Sequence, residues 1–231
     1  MNFTFGIVTV KGNEKLLKKT IRSIEKLNIP NYEIYIIGGN EFKTKNSKVY
    51  QIPFDDSFYV GWLTKKKNII TKLANYENIV YSHDYISFDS GWYEGFLRFG
   101  NNFNIAMNKI VNKDGTRYRD WVLWPHNNND EWNTYFTKTR ECLIPYEINN
   151  MSKQMYISGA FWVAKKNIME NYPLNENLIY LDPEDVEWSE RVRRDYIFKM
   201  NIYSSVKLLK QKDVAFQEAS EKTLQFIEKF V

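Results

Sequence analysis

A single cysteine, Cys142, stands in 231 residues. That excludes an internal disulfide framework and any zinc site built on several thiolates, and it suits a reducing cytoplasm. No apolar run approaches the roughly 18 residues that a membrane span needs. Met1-Asn2-Phe3-Thr4 enters an apolar stretch with no basic leader before it, so the chain reads as soluble and unprocessed. A dominant charge is missing too: 32 Lys and Arg against 28 Asp and Glu leave +4, evenly spread, which excludes a dedicated nucleic-acid binder. GxGxxG, GxxxxGK[ST] and GxSxG are all absent, and this weakens dinucleotide oxidoreductase, P-loop and serine-hydrolase readings.

Apolar material is not short. A hydrophobic content of 43% is ample for the core of one domain covering residues 1–231. Aromatics reach 16%, with seven Trp and 16 Tyr, which suits an aromatic-lined pocket and equally an AT-rich coding sequence. Cys142 reads as packing.

Periodicity gives an order of elements. Phe3 to Val10 is a buried strand punctuated by Gly12-Asn13, and Asn13 is placed to cap a helix that ends before Pro30. Strands follow at Glu33 to Gly38 and within Ser47 to Phe54, then a helix over Gly61 to Ala74 and a strand at Ile79-Val80-Tyr81. This alternation predicts an α/β layer fold with a mostly parallel sheet, whose ligands sit beyond the carboxyl ends of the strands. Further strands are predicted at Ile105 to Val111, Val122 to Trp124, Met155 to Ala164 and Ser204 to Leu209. A helix opens at Asp182-Pro183-Glu184-Asp185 and carries Trp188, Val192, Tyr196 and Met200 at four-residue spacing, and a last helix covers Glu218 to Phe230. There is no internal repeat and no evident linker.

Several clusters carry chemistry. Ser82-His83-Asp84 ends a strand where a site belongs, and a hard cation such as Mg²⁺ or Mn²⁺ needs few protein ligands beside substrate phosphates; the alternative is a strand end with a capped turn. His126, in an Asn-rich loop, is a second metal or phosphate candidate, although exposed loop histidines are commoner. Glu184-Asp185 offers two carboxylates, one of which could take a proton from a hydroxyl. Acids in a first helical turn also occur simply to complement the dipole, with Asp182 as cap and Pro183 at the first position. Lys65-Lys66-Lys67-Asn68 opens a helix where a cation and an amide could meet phosphate or a base, and Thr9 and Lys11 follow the first strand; each is equally readable as a solvated surface. Trp121, Trp124, Trp132 and Trp162 could stack on a sugar or base, or pack the core.

Taken in order, these pieces resemble the GT-A glycosyltransferases, in particular the broad family 2-like group, over roughly residues 3 to 200. The features that carry the resemblance are the strand ending near Thr9, "YEIYIIGG", the lysine–asparagine helix start, the DXD-like Ser82-His83-Asp84, and "SGAFWVAKK" followed by "YLDPEDVEWSERV". The resemblance implies a single Rossmann-like GT-A domain with a mixed, mostly parallel central sheet flanked by helices, its nucleotide-sugar-binding half at about 1–100 and its acceptor half at about 101–231.

Function follows by the same resemblance: Mn²⁺- or Mg²⁺-dependent transfer of a sugar from a nucleotide-diphosphate donor, UDP-sugar favoured, to a glycan or lipid-linked acceptor hydroxyl in surface-glycan synthesis. Asp185, with Glu184 beside it, matches the catalytic base of an inverting enzyme. Asp84 matches the last acid of the metal motif, Ser82 stands where the first acid belongs, and His83 and His126 are the compensating metal ligands. Thr9, Lys11, Gly38, Lys65 and Asn68 match donor contacts, with Gly38 in place of the acid that commonly touches the base. Gly159 and Trp188 face the acceptor. The alternatives are a retaining enzyme of the same fold, a non-catalytic glycan- or nucleotide-binding module and, less favoured for want of a glycine-rich phosphate loop, a nucleotidyltransferase. Lys207, Lys210, Lys212, Lys222 and Lys229 read as a solvated basic face or as a peripheral contact with the inner face of a membrane.

Overall fold

Phe3–Val8 is six residues without a charge, every one of them buried, so this strand, β1, must be covered on both faces. The computed structural model describes residues 1–59, 61–124, 129–136, 141–148, 153–179, 181–212 and 216–230. After β1 come α1 (Glu14–Glu25), β2 (Tyr32–Ile37), β3 (Val49–Ile52), α2 (Leu63–Leu73), β4 (Asn78–His83), β5 (Ile86–Phe88), α3 (Trp92–Phe99) and β6 (Ile105–Val111). The chain continues with β7 (Val122–Leu123), α4 (Asp130–Phe136), β8 (Cys142–Leu143), β9 (Met155–Tyr156), β10 (Phe161–Lys165), α5 (Lys166–Asn171), α6 (Glu184–Val192), β11 (Phe198–Leu208) and α7 (Glu221–Ile227).

Eight strands form one mixed sheet in the order β3-β2-β1-β4-β10-β6-β11-β5, and β8-β7-β9 form a small second sheet. The expected α/β architecture with a mostly parallel sheet is therefore present. β1 pairs in parallel with β2 from Phe3↔Tyr32 to Val8↔Ile37, and with β4 from Phe3↔Asn78 to Val8↔His83. Because the registers run in step, three strands end side by side and open a crevice at their carboxyl ends. Close packing against α2 is possible because Gly6 has no side chain: a Cβ there would lie 2.3 Å from Ile70 Cγ2.

The core is aromatic on the α3 side. Phe3 and Trp92 meet at 5.1 Å between ring centroids, Phe5 and Phe88 at 5.3 Å, and Trp92 and Phe96 at 4.4 Å. Trp92 places its indole N–H on Asn108 Oδ1 at 3.0 Å, which meets the requirement that a buried polar tip find a partner. Trp121, Trp132, Trp162 and Trp188 are fully buried as well, so the tryptophan content is explained mainly by packing. Among the described residues no helix is long and apolar enough to cross a membrane.

Four sequence expectations need correction. The predicted strand Met155 to Ala164 breaks into β9 and β10 around a turn at Gly159, whose N–H is turned out of the sheet to Asp185. The apolar four-residue spacing runs on to Met200, yet α6 stops at Val192. Phe198 to Met200 instead opens β11, paired with Ile105 to Met107 of β6, so sheet pairing overrides helical periodicity. The last helix starts later than Glu218, because Ser220 Oγ caps α7 by accepting the Thr223 N–H at 3.2 Å, and it runs on as a 3-10 turn over Glu228–Phe230. Asn13 precedes α1 but makes no side-chain cap, its amide being used elsewhere.

Candidate active site

The crevice floor is made where β1 and β4 end. Asp84, only 2% exposed, turns its carboxylate inward: Oδ2 accepts Thr9 Oγ1 at 2.6 Å and Asn13 Nδ2 at 2.9 Å, and its carbonyl accepts Thr20 Oγ1 at 2.7 Å. Burial raises its pKa, and the bonds from Thr9 and Asn13 pull it partly back. Asp84 is therefore first a bolt joining β4 to the start of α1. His83 is half-buried and faces the crevice, its ring 5.1 Å from that of Tyr85. Burial, then the charges of Lys67, Lys212 and Lys210, hold its pKa well below the ordinary imidazole value, so it is neutral at pH 7.

Ser82 does not join them. Strand alternation sets it on the face opposite Tyr81, whose hydroxyl meets Thr71 Oγ1 at 2.7 Å on the α2 side. Its own Oγ is buried without a partner among the described residues, and Ser82 is not part of the crevice lining. Lys11 is exposed and its charge acts on Asp55, away from the crevice floor. His126 lies outside the described residues.

The lysine run of α2 resolves by helical phase, since successive side chains point about 100° apart. Lys65 lies outward, 4.2 Å above the Trp62 ring. Lys66, fully buried, reaches Thr9 O at 2.9 Å and Asp56 Oδ1 at 2.8 Å. This approach requires Gly38, whose φ is +92° and where a Cβ would sit 2.6 Å from Thr9 O and 2.9 Å from Lys66 Nζ. Lys67 passes to the other side, to Gly159 O at 3.0 Å and Glu184 Oε1 at 3.1 Å, lying 4.5 Å from the Trp162 ring centre. Asn68 faces away from the crevice: its amide donates to Leu174 O and Glu176 Oε1 and accepts the Leu174 N–H. Lys66 and Lys67, not Lys65 and Asn68, are thus the α2 side chains directed at the site. Asn68 instead ties down the segment that leads to the acids, with help from Trp62 Nε1 on Glu176 O and Thr64 Oγ1 on Leu178 O.

That segment ends on the acid pair. Asp182 does not cap α6; its carboxylate accepts the Ile179 N–H at 2.8 Å, and Pro183 holds the cap position. Between them Leu181 stands at φ +81° and 85% exposed, a backbone conformation that costs a side-chain-bearing residue roughly 1–2 kcal/mol. Asparagine tolerates positive φ, so Leu181→Asn is expected to stabilise the fold by about 1 kcal/mol, read as a higher urea midpoint with an unchanged m-value; a lower midpoint would show that the leucine is held there by contacts of its own.

Past this turn the two carboxylates part company. Glu184 pairs with Lys67, whereas Asp185 Oδ2 accepts the Gly159 N–H at 2.8 Å and Oδ1 the Val186 N–H at 3.0 Å, with no cation in contact among the described residues. Burial, reinforced by the neighbouring Glu184, lifts the Asp185 pKa to about 6. Gly159 admits the pair: a Cβ there would stand 2.9 Å from Asp185 Oδ2 and 3.0 Å from Glu184 Oε1. Trp188, expected at the acceptor, is fully buried, donates to Tyr172 O at 2.6 Å and stacks on Phe198. It supports α6 from the core.

Among the described residues a divalent cation has few protein donors here, and a hard ion would take the rest of its shell from substrate phosphates and water. Among the described residues no group of three His, Cys, Asp or Glu side chains is placed to hold a metal. His83 is neutral and available, but Asp84 is the crevice's carboxylate and its Oδ2 is already engaged twice. Two protein donors do not make a metal cage.

No family model matches the sequence, and no curated protein does. Solved structures match in fold. S. aureus TarS 1-349 aligns with 100% of this chain over 64% of its own, at a TM-score of 0.55 and 12% identity. GalNAc-T7 with UDP, GalNAc and Mn²⁺ aligns with 99% of this chain over 48% of its own, at 0.64 and 12%. TarS 1-349 in complex with UDP-GlcNAc aligns with 95% over 62%, at 0.56 and 12%. The chain spans less than two thirds of each of these proteins. At this identity the likeness is one of fold, and the fold is GT-A-like, the fold of glycosyltransferases.

Proposed function

From this GT-A-like fold and the acid pair held by Lys67 and Gly159, we propose that the chain is a glycosyltransferase, moving a sugar from a nucleoside-diphosphate donor to an acceptor hydroxyl with inversion at the anomeric carbon. The donor lies over residues of about 1–100, along Thr9, His83 and the Gly38–Lys66 corner. The acceptor is held by about 101–231, against Gly159 and the small β8-β7-β9 sheet. Uridine is the favoured base because GalNAc-T7 and TarS have been crystallised with UDP or UDP-GlcNAc.

Asp185 carries the reading. A carboxylate with a pKa near 6 is ionised at pH 7 yet basic enough to take a proton from a hydroxyl as that hydroxyl attacks. The acceptor oxygen then bonds to the anomeric carbon while the bond from that carbon to the β-phosphate oxygen breaks, its electron pair leaving with the nucleoside diphosphate. Gly159 N–H holds Asp185 in place, and the Lys67 ion pair holds Glu184 beside it. If Mn²⁺ or Mg²⁺ takes part, as the Mn²⁺ in GalNAc-T7 suggests, His83 and the second oxygen of Asp84 are its donors among the described residues. The rest of its shell would come from diphosphate and water. The acceptor is a glycan or lipid-linked hydroxyl in surface-glycan synthesis, and a cytoplasmic setting agrees with the buried, free Cys142.

Calorimetric titration with UDP-, GDP-, dTDP- and CMP-sugars tests the proposal. One of them, UDP-sugar by expectation, is to bind, and slow release of free sugar is to give the anomer opposite to the donor's. Absence of binding by all four would favour a glycan-binding module without turnover. Release with the donor's own anomeric configuration would favour the retaining alternative.

A further inference from the structure

The crevice at the strand ends, about 170 Å³, is lined by one carboxylate, Asp84, and by two ammonium groups, Lys210 and Lys212. The lysines come from the segment just past β11, which is fixed on both sides: the Leu209 N–H donates to Tyr85 O at 2.8 Å and the Lys212 N–H to Asn112 Oδ1 at 3.2 Å. Gln211 turns away to Asp114, while Lys210 and Lys212 both lie over the Tyr85 ring, at 4.3 and 4.9 Å from its centre. Tyr85 is buried, so the pair rests on a rigid platform beside His83. None of the ion pairs among the described residues includes Lys210. Asp84, in the same lining, attracts Lys210, so the two ammonium groups face one carboxylate.

Resting on the nucleotide-sugar reading above, we infer that Lys210 and Lys212 bind the donor's diphosphate and supply the positive charge that a divalent ion would otherwise bring, so that nucleotide binding persists without metal. The chemistry is complementary: the diphosphate of a nucleotide-sugar carries two negative charges, and two ammonium groups against a single carboxylate line the place where Thr9, His83 and Asp84 meet. When the sugar leaves, the extra charge on the β-phosphate develops beside the same ammonium groups.

The test is calorimetric titration of UDP into the whole chain, in EDTA and in Mn²⁺. The proteins compared are the wild type, Lys210→Ala/Lys212→Ala, Lys210→Arg/Lys212→Arg, and Lys207→Ala/Lys222→Ala as a control with the same loss of charge. Wild-type affinity is expected to change by less than about threefold on removing metal. The alanine pair should weaken binding by roughly 30-fold or more, as for the loss of two charge-assisted contacts, while the arginine pair and the control stay within about threefold of wild type. UDP binding that needs Mn²⁺ and ignores the alanine pair would overturn the inference and leave the transferase reading standing. Equal weakening by the control pair would overturn it too, reducing the effect to net charge. No UDP binding by the wild type in either buffer would remove the nucleotide reading itself, and the inference with it.

Discussion

Asp185→Asn is expected to lower kcat by about three orders of magnitude or more, with nucleotide affinity unchanged and the protein at least as stable as the wild type at pH 7. Asparagine keeps an oxygen to accept the Gly159 N–H at the 2.8 Å contact that Asp185 makes, giving up only the 3.0 Å contact with the Val186 N–H, but it has no basic lone pair of the required strength. Stability goes the other way for a reason of sign. The folded-state pKa of Asp185 is raised to about 6 from about 3.9 in an unfolded chain. The folded state therefore holds this proton more tightly, and the resulting stabilisation, complete below the unfolded value, is lost as pH rises through about 6. At pH 7 the wild type carries the cost of a buried, ionised group that the variant lacks. The melting-temperature difference between variant and wild type should thus grow between pH 4 and 7. The wild type's rise in activity across pH 6 should also be missing from any residual activity of the variant. A variant within tenfold of wild-type kcat would place the base on another residue.

Gly159→Ala is the second large effect, about 100-fold in kcat, and it arises without touching a titratable group. The added methyl would stand 2.9 Å from Asp185 Oδ2 and 3.0 Å from Glu184 Oε1, closer than carbon and oxygen rest against each other, so the acid pair must shift. A displacement of about 1 Å at a reacting group costs on the order of 100-fold. UDP affinity should fall far less than kcat, because the added methyl meets the acids, while the Gly159 backbone is what meets His83. Steady-state kinetics beside UDP calorimetry separates the two, and a loss of UDP binding equal to the loss of kcat would mean that the turn at Gly159 shapes the donor site as well.

The first half of the chain was open to reading because its elements are punctuated. The charge-free run at Phe3–Val8 and the apolar run Ile34–Ile37 are closed by Gly12 and Gly38-Gly39, and the helices carry clear apolar stripes. The acid pair was visible for the same reason, as consecutive carboxylates after a proline. Phase was not visible. Lys65, Lys66 and Lys67 are identical as letters, and only the docking of α2 on Gly6 decides that Lys66 and Lys67 are buried and Lys65 is not. Met155 to Ala164 reads as one strand because nothing local announces that the Gly159 amide is claimed by a carboxylate 26 positions away. Lys210 and Lys212 reach the crevice by a pairing distant in sequence, the return of β11 to β5, Val206↔Phe88 to Leu208↔Ile86, and a basic tail gives no hint of it.

Helix α2 holds both ends of the site, Lys66 at the corner of β1 and β2, Lys67 and Asn68 at the segment that presents the acids. An insertion or deletion of a single residue within it would rotate every later side chain by about 100° and withdraw both anchorages in one event. Length variation in homologous chains should consequently spare this helix and collect in the loops around it, and attempts to graft a new donor or acceptor preference onto the scaffold should leave α2 intact and vary those loops.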